Sequence, residues 1–374
     1  MIHVEIVKPN RRALKPFIQL PFDIYKKDLN WAPPRRRELT RALMGIGNDF
    51  FSRGIQRMFL AYDDETPVAR VLAGIDLRHS SRLGEQSGYI SLFESYENYE
   101  YAQAVLDPAT RFLREHGVKQ LYGPVAPRYD LLNRGVLVDG FDGPPVLENA
   151  YNSAALPQML EKYGFVKWRD YLAYDIPTEK IPVDRILPMA DRIRQRFGFR
   201  IEHLDFSRGN LIRAAQDISA VICEATPDEP GVYMPSPEDL LELFRRVRPW
   251  LRNQAAVMAY AGQRPIACVI GLLDSTPAVL GTSGRATPWN WLRRVLKTPN
   301  IRTARCPIQY VVPEYQNMAV NTVLMAEAVD GAKRLGIKNV EGSLVDETHI
   351  VSVNNTRSAG GRLYRRYRLY RMDI

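Results

Sequence analysis

The stretch Ala61-Tyr62-Asp63-Asp64-Glu65-Thr66-Pro67-Val68-Ala69-Arg70-Val71-Leu72 is answered later in the chain, without a gap, by Ala259-Tyr260-Ala261-Gly262-Gln263-Arg264-Pro265-Ile266-Ala267-Cys268-Val269-Ile270. In each copy two β-rich runs flank a short polar turn, which is the pattern of a hairpin. Self-similarity of this kind outranks any local signal, because it sets the architecture. A second pair follows in the same order. Arg114 to Gly123 resembles Lys333 to Gly342, each a helix end with basic residues or His in its last turn, a Gly stop and then a strand. A third pair closes both halves: Trp168-Arg169-Asp170-Tyr171 with Tyr174 matches Tyr364-Arg365-Arg366-Tyr367 with Tyr370. Repeated order points to duplication. Prolines and charges from Ile176 to Pro182 break both periodicities and place the boundary there, giving domains 1–178 and 179–374.

Each half reads as strand, helical segments, hairpin, strand, helix, strand, helix and terminal strands. The helix after Tyr315 puts Met318, Met325, Val329 and Ala332 on one stripe and ends at Gly336. Its counterpart does the same with Val105, Leu106, Ala109, Phe112 and Leu113, and Asp107-Pro108 reads as a fresh helix start. The predicted class is α/β of the α+β type: two domains, each a mixed, mostly antiparallel sheet flanked by helices.

Composition limits the function classes. With 374 residues, 45% hydrophobic and 10% aromatic, the chain can bury two cores. The start Met1-Ile2-His3-Val4-Glu5-Ile6-Val7 alternates like a strand and lacks the apolar run of a signal peptide. No window reaches the apolar length of a membrane span, so the expectation is a soluble, cytoplasmic protein with no membrane partner. Three well-separated cysteines exclude a disulfide framework and any CxxC knuckle. Five scattered histidines form no metal-binding pattern, so no metal is expected. The formal charge of +9 favours anionic partners, among them coenzyme A phosphates, an acidic carrier protein or nucleic acid. The basic runs Arg35-Arg36-Arg37 and Tyr364 to Arg371 carry no nucleic-acid motif, and the second alternates as a terminal strand does, with Tyr packed and Arg solvated. Nucleic acid is not the expected partner.

The order of elements, twice over, resembles the GNAT acyltransferase family. The chain also resembles a bacterial group of tandem GNAT-like proteins in Leu29 to Pro34, Gly135 to Pro145, Ala150 to Asn152 and Arg362 to Tyr370. In that family backbone N–H groups of the loop after the fourth strand, with the following helix N-terminus, hold the coenzyme A pyrophosphate. The matching loop in the second half runs from Val311 and Val312 through Pro313-Glu314-Tyr315 to Gln316, Asn317, Met318, Ala319, Val320 and Asn321. It has no glycine, and Ala319 and Asn321 stand where the family has small residues. The resemblance implies acyl-CoA as co-substrate at these positions. In the first half the corresponding stretch, Phe93 to Glu100, is acidic, and its carboxylates would repel a pyrophosphate. Asn152-Ser153-Ala154-Ala155 and Tyr163-Gly164-Phe165 resemble the family's later motif, so that half keeps the fold without the coenzyme.

Acyl transfer of this kind needs a neutral amine, a polarised thioester carbonyl and a proton donor for the thiolate. Candidate bases are Glu314, Glu341, Asp346, Glu347 and His349; of these His349 and Glu341 are the expected catalytic pair, and Glu314 also suits a helix start. The family's usual tyrosine donor position falls on Asn355, which cannot act as an acid. The Gly- and Pro-rich connection from Pro124 to Tyr151 borders the cleft in this fold, making Arg128, Tyr129, Asp130, Asn133, Arg134, Tyr151 and Asn152 candidates for substrate contact. The expected activity is N-acyl transfer from an acyl-CoA or acyl carrier protein thioester to a small-molecule amine acceptor. Two alternatives stay open: an aminoacyl-tRNA-dependent transferase, and a non-catalytic binding protein that kept the scaffold.

Overall fold

The computed structural model describes residues 1–46, 55–75, 77, 80, 86–125, 132–226, 234–285 and 287–374. In chain order its main elements begin with β1 (Ile2–Val7), α1 (Arg11–Ile24), α2 (Arg36–Leu43), β2 (Ile55–Asp63), β3 (Thr66–Ile75) and β4 (Ser87–Ser95). They continue with α3 (Tyr99–Glu115), β5 (Gln120–Val125), β6 (Val136–Asp139), α4 (Ala155–Tyr163), β7 (Val166–Pro177), α5 (Val183–Phe197) and β8 (Arg200–His203). Then come α6 (Leu211–Ala225), α7 (Pro237–Val247), β9 (Leu251–Ala261), β10 (Arg264–Leu273) and α8 (Pro288–Lys297). The last are β11 (Thr303–Val311), α9 (Val320–Arg334), β12 (Asn339–Asp346), α10 (Ile350–Ser358) and β13 (Arg362–Asp373). The chain forms two compact units: Met1–Tyr171 with Ala278–Leu296 and Arg365–Ile374, and Leu172–Pro277 with Lys297–Tyr364.

In the first unit the strand order is β1-β2-β3-β4-β5-β13. Neighbours are antiparallel except β4 and β5, which run parallel. The β2–β3 hairpin turns at Asp64, whose φ of 51° is the left-handed conformation that a short polar side chain tolerates. α3 lies on β2 and β3 and buries Val105, Leu106, Ala109, Phe112 and Leu113, the stripe its sequence spacing requires. Its start differs from the expected one. The helix begins at Tyr99, capped by the Asn98 side chain, and runs through Pro108 because Ala102 and Val105 already belong to the core. Asp107 is no cap; it accepts a hydrogen bond from the Tyr163 hydroxyl at 2.9 Å.

The terminal tyrosine–arginine run lies in β13, and its Arg365–Ile374 portion completes this first unit's sheet beside β5. Tyr367 and Tyr370, three residues apart and so on opposite faces of the strand, are both buried. The arginines at 365, 366 and 368 are not free in solvent but engaged by the protein, which corrects the sequence expectation. Arg365 is buried and donates from Nε to Gly140 O (2.9 Å), from Nη1 to Pro144 O (2.8 Å) and from Nη2 to Gly143 O (2.6 Å). Arg368 and Arg366 converge on buried Asp170 at 2.8 Å and 3.1 Å, joined by Lys167 at 3.2 Å. A buried carboxylate is tolerated only with such partners.

In the second unit the order is β7-β12-β11-β10-β9-β8, with β7 contributing Leu172–Pro177. β8 to β11 are mutually antiparallel, and β11 runs parallel to β12. The hairpin turn here is Gly262, with φ 60°. The duplication reaches into the irregularities of the sheets. Val68 in β3 and Ile266 in β10, matched in the repeat, each bulge from their hairpins. α9 packs on β9 so closely that a Cβ at Gly331 would collide with the Gln254 carbonyl oxygen, which requires glycine there. This helix starts at Val320, so Met318 sits in the preceding loop while Val329 and Ala332 are buried.

Candidate functional site

In the second unit the parallel ladder between β11 and β12 pairs Thr303–Cys306 with Asn339–Gly342 and stops there. β11 continues to Val311 on β10, after a bulge that sets Cys306 and Pro307 against Gly271. Val312 is buried and donates its N–H to Ile266 O at 2.9 Å, anchoring the chain as it leaves the strand. Gln316 folds its Nε2 back onto Val311 O at 3.2 Å. Two left-handed residues follow, Asn317 (φ 65°) and Ala319 (φ 56°), and turn the chain into α9. No side chain caps that helix. Its first-turn N–H groups have no intrahelical acceptor, and with the helix dipole they favour an anion. Ala319 is the smallest side chain that such a position can carry besides glycine, so a phosphate oxygen can approach. Glu314, the carboxylate nearest in sequence, is drawn into an exposed ion pair with Arg264 at 2.7 Å. These residues fit an acyl-thioester pyrophosphate.

The first unit treats the same junction differently. Only Tyr96 to Asn98 separate β4 from α3; Asn98 Oδ1 accepts from Glu100 N at 2.9 Å, and Glu97 and Glu100 are exposed there. The helix N-terminus is already capped and flanked by carboxylates. That arrangement repels a pyrophosphate.

The first unit instead holds a buried polar centre at the end of β4. The strand bulges at Leu92 and Phe93, with Leu92 at φ 52°, and the next residue is Glu94. Its register partner on β3 is Arg70, which is buried and donates from Nη1 to Phe17 O at 2.7 Å. Buried Tyr25, following α1, donates its hydroxyl to Glu94 Oε2 at 2.6 Å. Burial pushes the Glu94 carboxyl up to about 7; the Arg70 charge and the Tyr25 hydrogen bond hold back a larger rise. Burial also lowers Arg70 to about 10 and raises Tyr25. Aromatic rings wall the centre. Trp31 stacks on Tyr25 at 5.4 Å, and Tyr151 meets Tyr25 edge-on at 6.0 Å. Such a carboxyl, poised near neutrality in an apolar setting, can take and return a proton.

No family model matches the chain. Among curated proteins it is 25% identical to Protein YghO of Escherichia coli K12, over 98% of this chain and 94% of that one. It is 26% identical to the Bacterial ceramide synthase of Caulobacter vibrioides, over 96% of this chain and 94% of that one. Among solved structures, a tandem GNAT protein from the clavulanic acid biosynthesis pathway superposes with a TM-score of 0.53 and 10% identity, covering 100% of this chain and 98% of that one. The chain has the tandem GNAT fold.

The tandem GNAT fold distributes the residues singled out from sequence as follows. Val311, Val312, Gln316, Asn317, Met318, Ala319, Val320 and Asn321 all lie between the end of β11 and the start of α9. Left-handed backbone falls at Asn317 and Ala319, whereas Asn321 is helical and accepts from Gln309 Nε2 at 2.8 Å. Glu341 is buried on β12, in register with fully buried Arg305, whose Nε donates to Ser343 Oγ at 2.9 Å. His349 precedes α10 and is exposed, with Nδ1 2.6 Å from Ser352 Oγ. Asn355 is exposed on α10. Asp346 is engaged by the Thr348 N–H and hydroxyl at 2.9 and 2.8 Å.

Of the proposed acceptor contacts, Arg128, Tyr129 and Asp130 lie outside the described residues. Asn133 is half-buried, and the Arg134 guanidinium stands 5.5 Å from the Tyr171 ring. Asn152 is buried and grips the Leu137 N–H and C=O at 2.8 and 3.0 Å, so it anchors β6. Tyr151 does join the Glu94 centre; its hydroxyl donates to Asp28 Oδ2 at 2.6 Å. Sequence reasoning missed Glu94, Tyr25 and Arg70. Glu94 falls in the acidic stretch Phe93 to Glu100, but it belongs to β4 and not to the junction that follows. The available signal was Arg70 itself, a charge inside the apolar β run Val68-Ala69-Arg70-Val71-Leu72-Ala73. Among the described residues, no group of three or more His, Cys, Asp or Glu side chains could hold a metal.

Proposed function

We propose that the chain is an N-acyltransferase that carries the acyl group of an acyl-CoA thioester to the primary amine of a long-chain amino base. The observation that carries this reading is the near full-length similarity to a relative named Bacterial ceramide synthase, since a ceramide is an amide of a long-chain amino alcohol. The tandem GNAT fold supports acyl transfer as the reaction class. In the step, the amine nitrogen attacks the thioester carbonyl carbon, the C–S bond breaks, and the thiolate leaves. The amine proton passes to a base, and the thiolate is protonated.

The uncapped α9 N-terminus with Asn317 and Ala319 supports the second unit as the donor site. His349 and Glu341 remain the bases proposed for a reaction confined to that unit, with Glu341 constrained by its neighbour Arg305. Against the tRNA-dependent alternative stands the engagement of Arg365, Arg366 and Arg368 inside the first unit's own packing, which removes them from a nucleic-acid surface.

A second reading places the proton transfer at Glu94 in the first unit, favoured by its carboxyl lying near neutrality beside Tyr25. The test is to incubate the full chain with a long-chain acyl-CoA and a C18 amino alcohol, following thiol release and amide mass together. The expected result is stoichiometric thiol and amide, abolished by Asn317→Glu. Absence of both products with any acyl-CoA sinks the reading. Loss in Glu94→Gln with retention in His349→Gln moves the base to the first unit.

A further inference from the structure

α8 is an amphipathic helix turned inside out. At 3.6 residues per turn, Trp291, Val295, Leu292, Leu296 and Trp289 share one arc of about 160°, and Asn290, Arg293, Arg294 and Lys297 share the opposite one. A surface helix of a globular protein turns its apolar arc to the core. Here that arc is exposed: Trp289 73%, Leu296 64%, Trp291 64%, Val295 47% and Leu292 39%. On the polar arc, Asn290 and Arg293 are half-buried. The Arg293 guanidinium lies beside Gly281, and Asn290 Nδ2 donates to Arg285 O at 2.8 Å.

The segment carrying α8 is held in place. Arg36 donates its backbone N–H to Gly284 O and its Nε to Ser283 O, both at 3.0 Å. Its guanidinium stacks 3.4 Å over the Phe22 ring. Gly284 sits at φ 64° with no room for a side chain beside Pro34 O. Among the described residues none covers this apolar surface, and an exposed patch of this kind marks an interaction site.

We propose that α8 is a membrane-docking element that lies in the surface of an anionic lipid bilayer. The two tryptophans suit the headgroup boundary, and Leu292, Val295 and Leu296 suit the acyl chains just below. Exposed Lys297 at the end of the helix and the chain's +9 charge add attraction to anionic headgroups. Ten residues span about 15 Å, half the hydrocarbon thickness, so the helix lies on the membrane and does not cross it. Docking of this kind brings the protein to substrates dissolved in lipid, but the inference stands on α8 alone and not on the acyl-transfer reading.

The test is flotation of the full chain with vesicles of phosphatidylglycerol and phosphatidylcholine, against phosphatidylcholine alone, at 0.1 and 0.5 M salt. The comparison protein is Trp289→Ser/Trp291→Ser/Leu296→Ser, with its melting temperature measured to show that it folds. The expected result is binding to anionic vesicles, weakened by salt and by the neutral lipid, and a drop of about ten-fold or more in the triple variant. Equal binding by both proteins, or none by wild type, overturns the proposal. So does a dimer of the wild type that the triple variant splits while neither binds vesicles, because a second copy is then what covers the face.

Discussion

The Tyr25 hydroxyl donates to Glu94 Oε2 across 2.6 Å, tying the end of α1 to the bulged end of β4. The pairing works because Arg70, the register partner of Glu94, supplies the opposite charge inside an aromatic wall. If Glu94 is the base, acyl transfer rises with pH through a midpoint near 7, and a pH–rate profile of Glu94→Gln lacks that limb. Stability follows the same group with a definite sign. A carboxyl raised on folding stabilises the folded state fully below its unfolded value of about 4.3, and that contribution is lost as pH rises through 7. Wild type therefore loses stability relative to Glu94→Gln between those limits, which denaturant titrations across pH will measure.

Ala319 holds φ 56°, a conformation that costs a residue with a Cβ about 1 kcal/mol. Ala319→Gly is expected to stabilise the fold by up to that amount while keeping donor binding, and Ala319→Val to lose both. Thermal melts with and without an acyl-CoA distinguish the two effects.

Asp170 is buried among Arg366, Arg368 and Lys167, and despite its burial these partners keep its carboxyl below the ordinary range. Removing one member of such a cluster strands the others. Asp170→Asn is expected to cost about 3–5 kcal/mol. Because the pKa is depressed, the stabilisation is present above the unfolded value and is lost as pH falls through the folded one, so an acid titration of wild type shows an early loss that the variant lacks.

Tyr174 is fully buried in the second unit's core with Val329 and Val353, and its hydroxyl finds no hydrogen-bond partner among the described residues. Tyr174→Phe is expected to be neutral or to stabilise by about 1 kcal/mol, since an unsatisfied hydroxyl is removed at nearly constant shape. A loss above that size in chemical denaturation means the hydroxyl has a partner in solution.

Gly331 lies against the Gln254 carbonyl, leaving no space for a methyl group. Gly331→Ala gains helix propensity of up to about 1 kcal/mol yet is expected to lose more through displaced packing of α9 on β9. The melting temperature should fall, and a rise shows that α9 can shift outward without cost.

The duplicated hairpins, the helix stops and the strand–helix junction at Asn317 to Val320 were legible in the sequence because each is local. A turn residue, a cap or an alternation acts over a few positions, and the repeat states it twice. The same locality explains the missed helix start: Asp107-Pro108 has the form of a cap, but the core residues Ala102 and Val105 had already committed that turn. Only tertiary structure decided the rest. The portion of β13 from Arg365 onward pairs with β5, far away in sequence, and spends its arginines on Asp170 and on the Gly140, Gly143 and Pro144 carbonyls. Glu94, Arg70 and Tyr25 meet because two strands and a helix are stacked in register, and burial changes what a carboxyl can do. The exposure of the apolar arc of α8 is of the same kind: sequence sets which residues share an arc, but only packing decides which arc faces water.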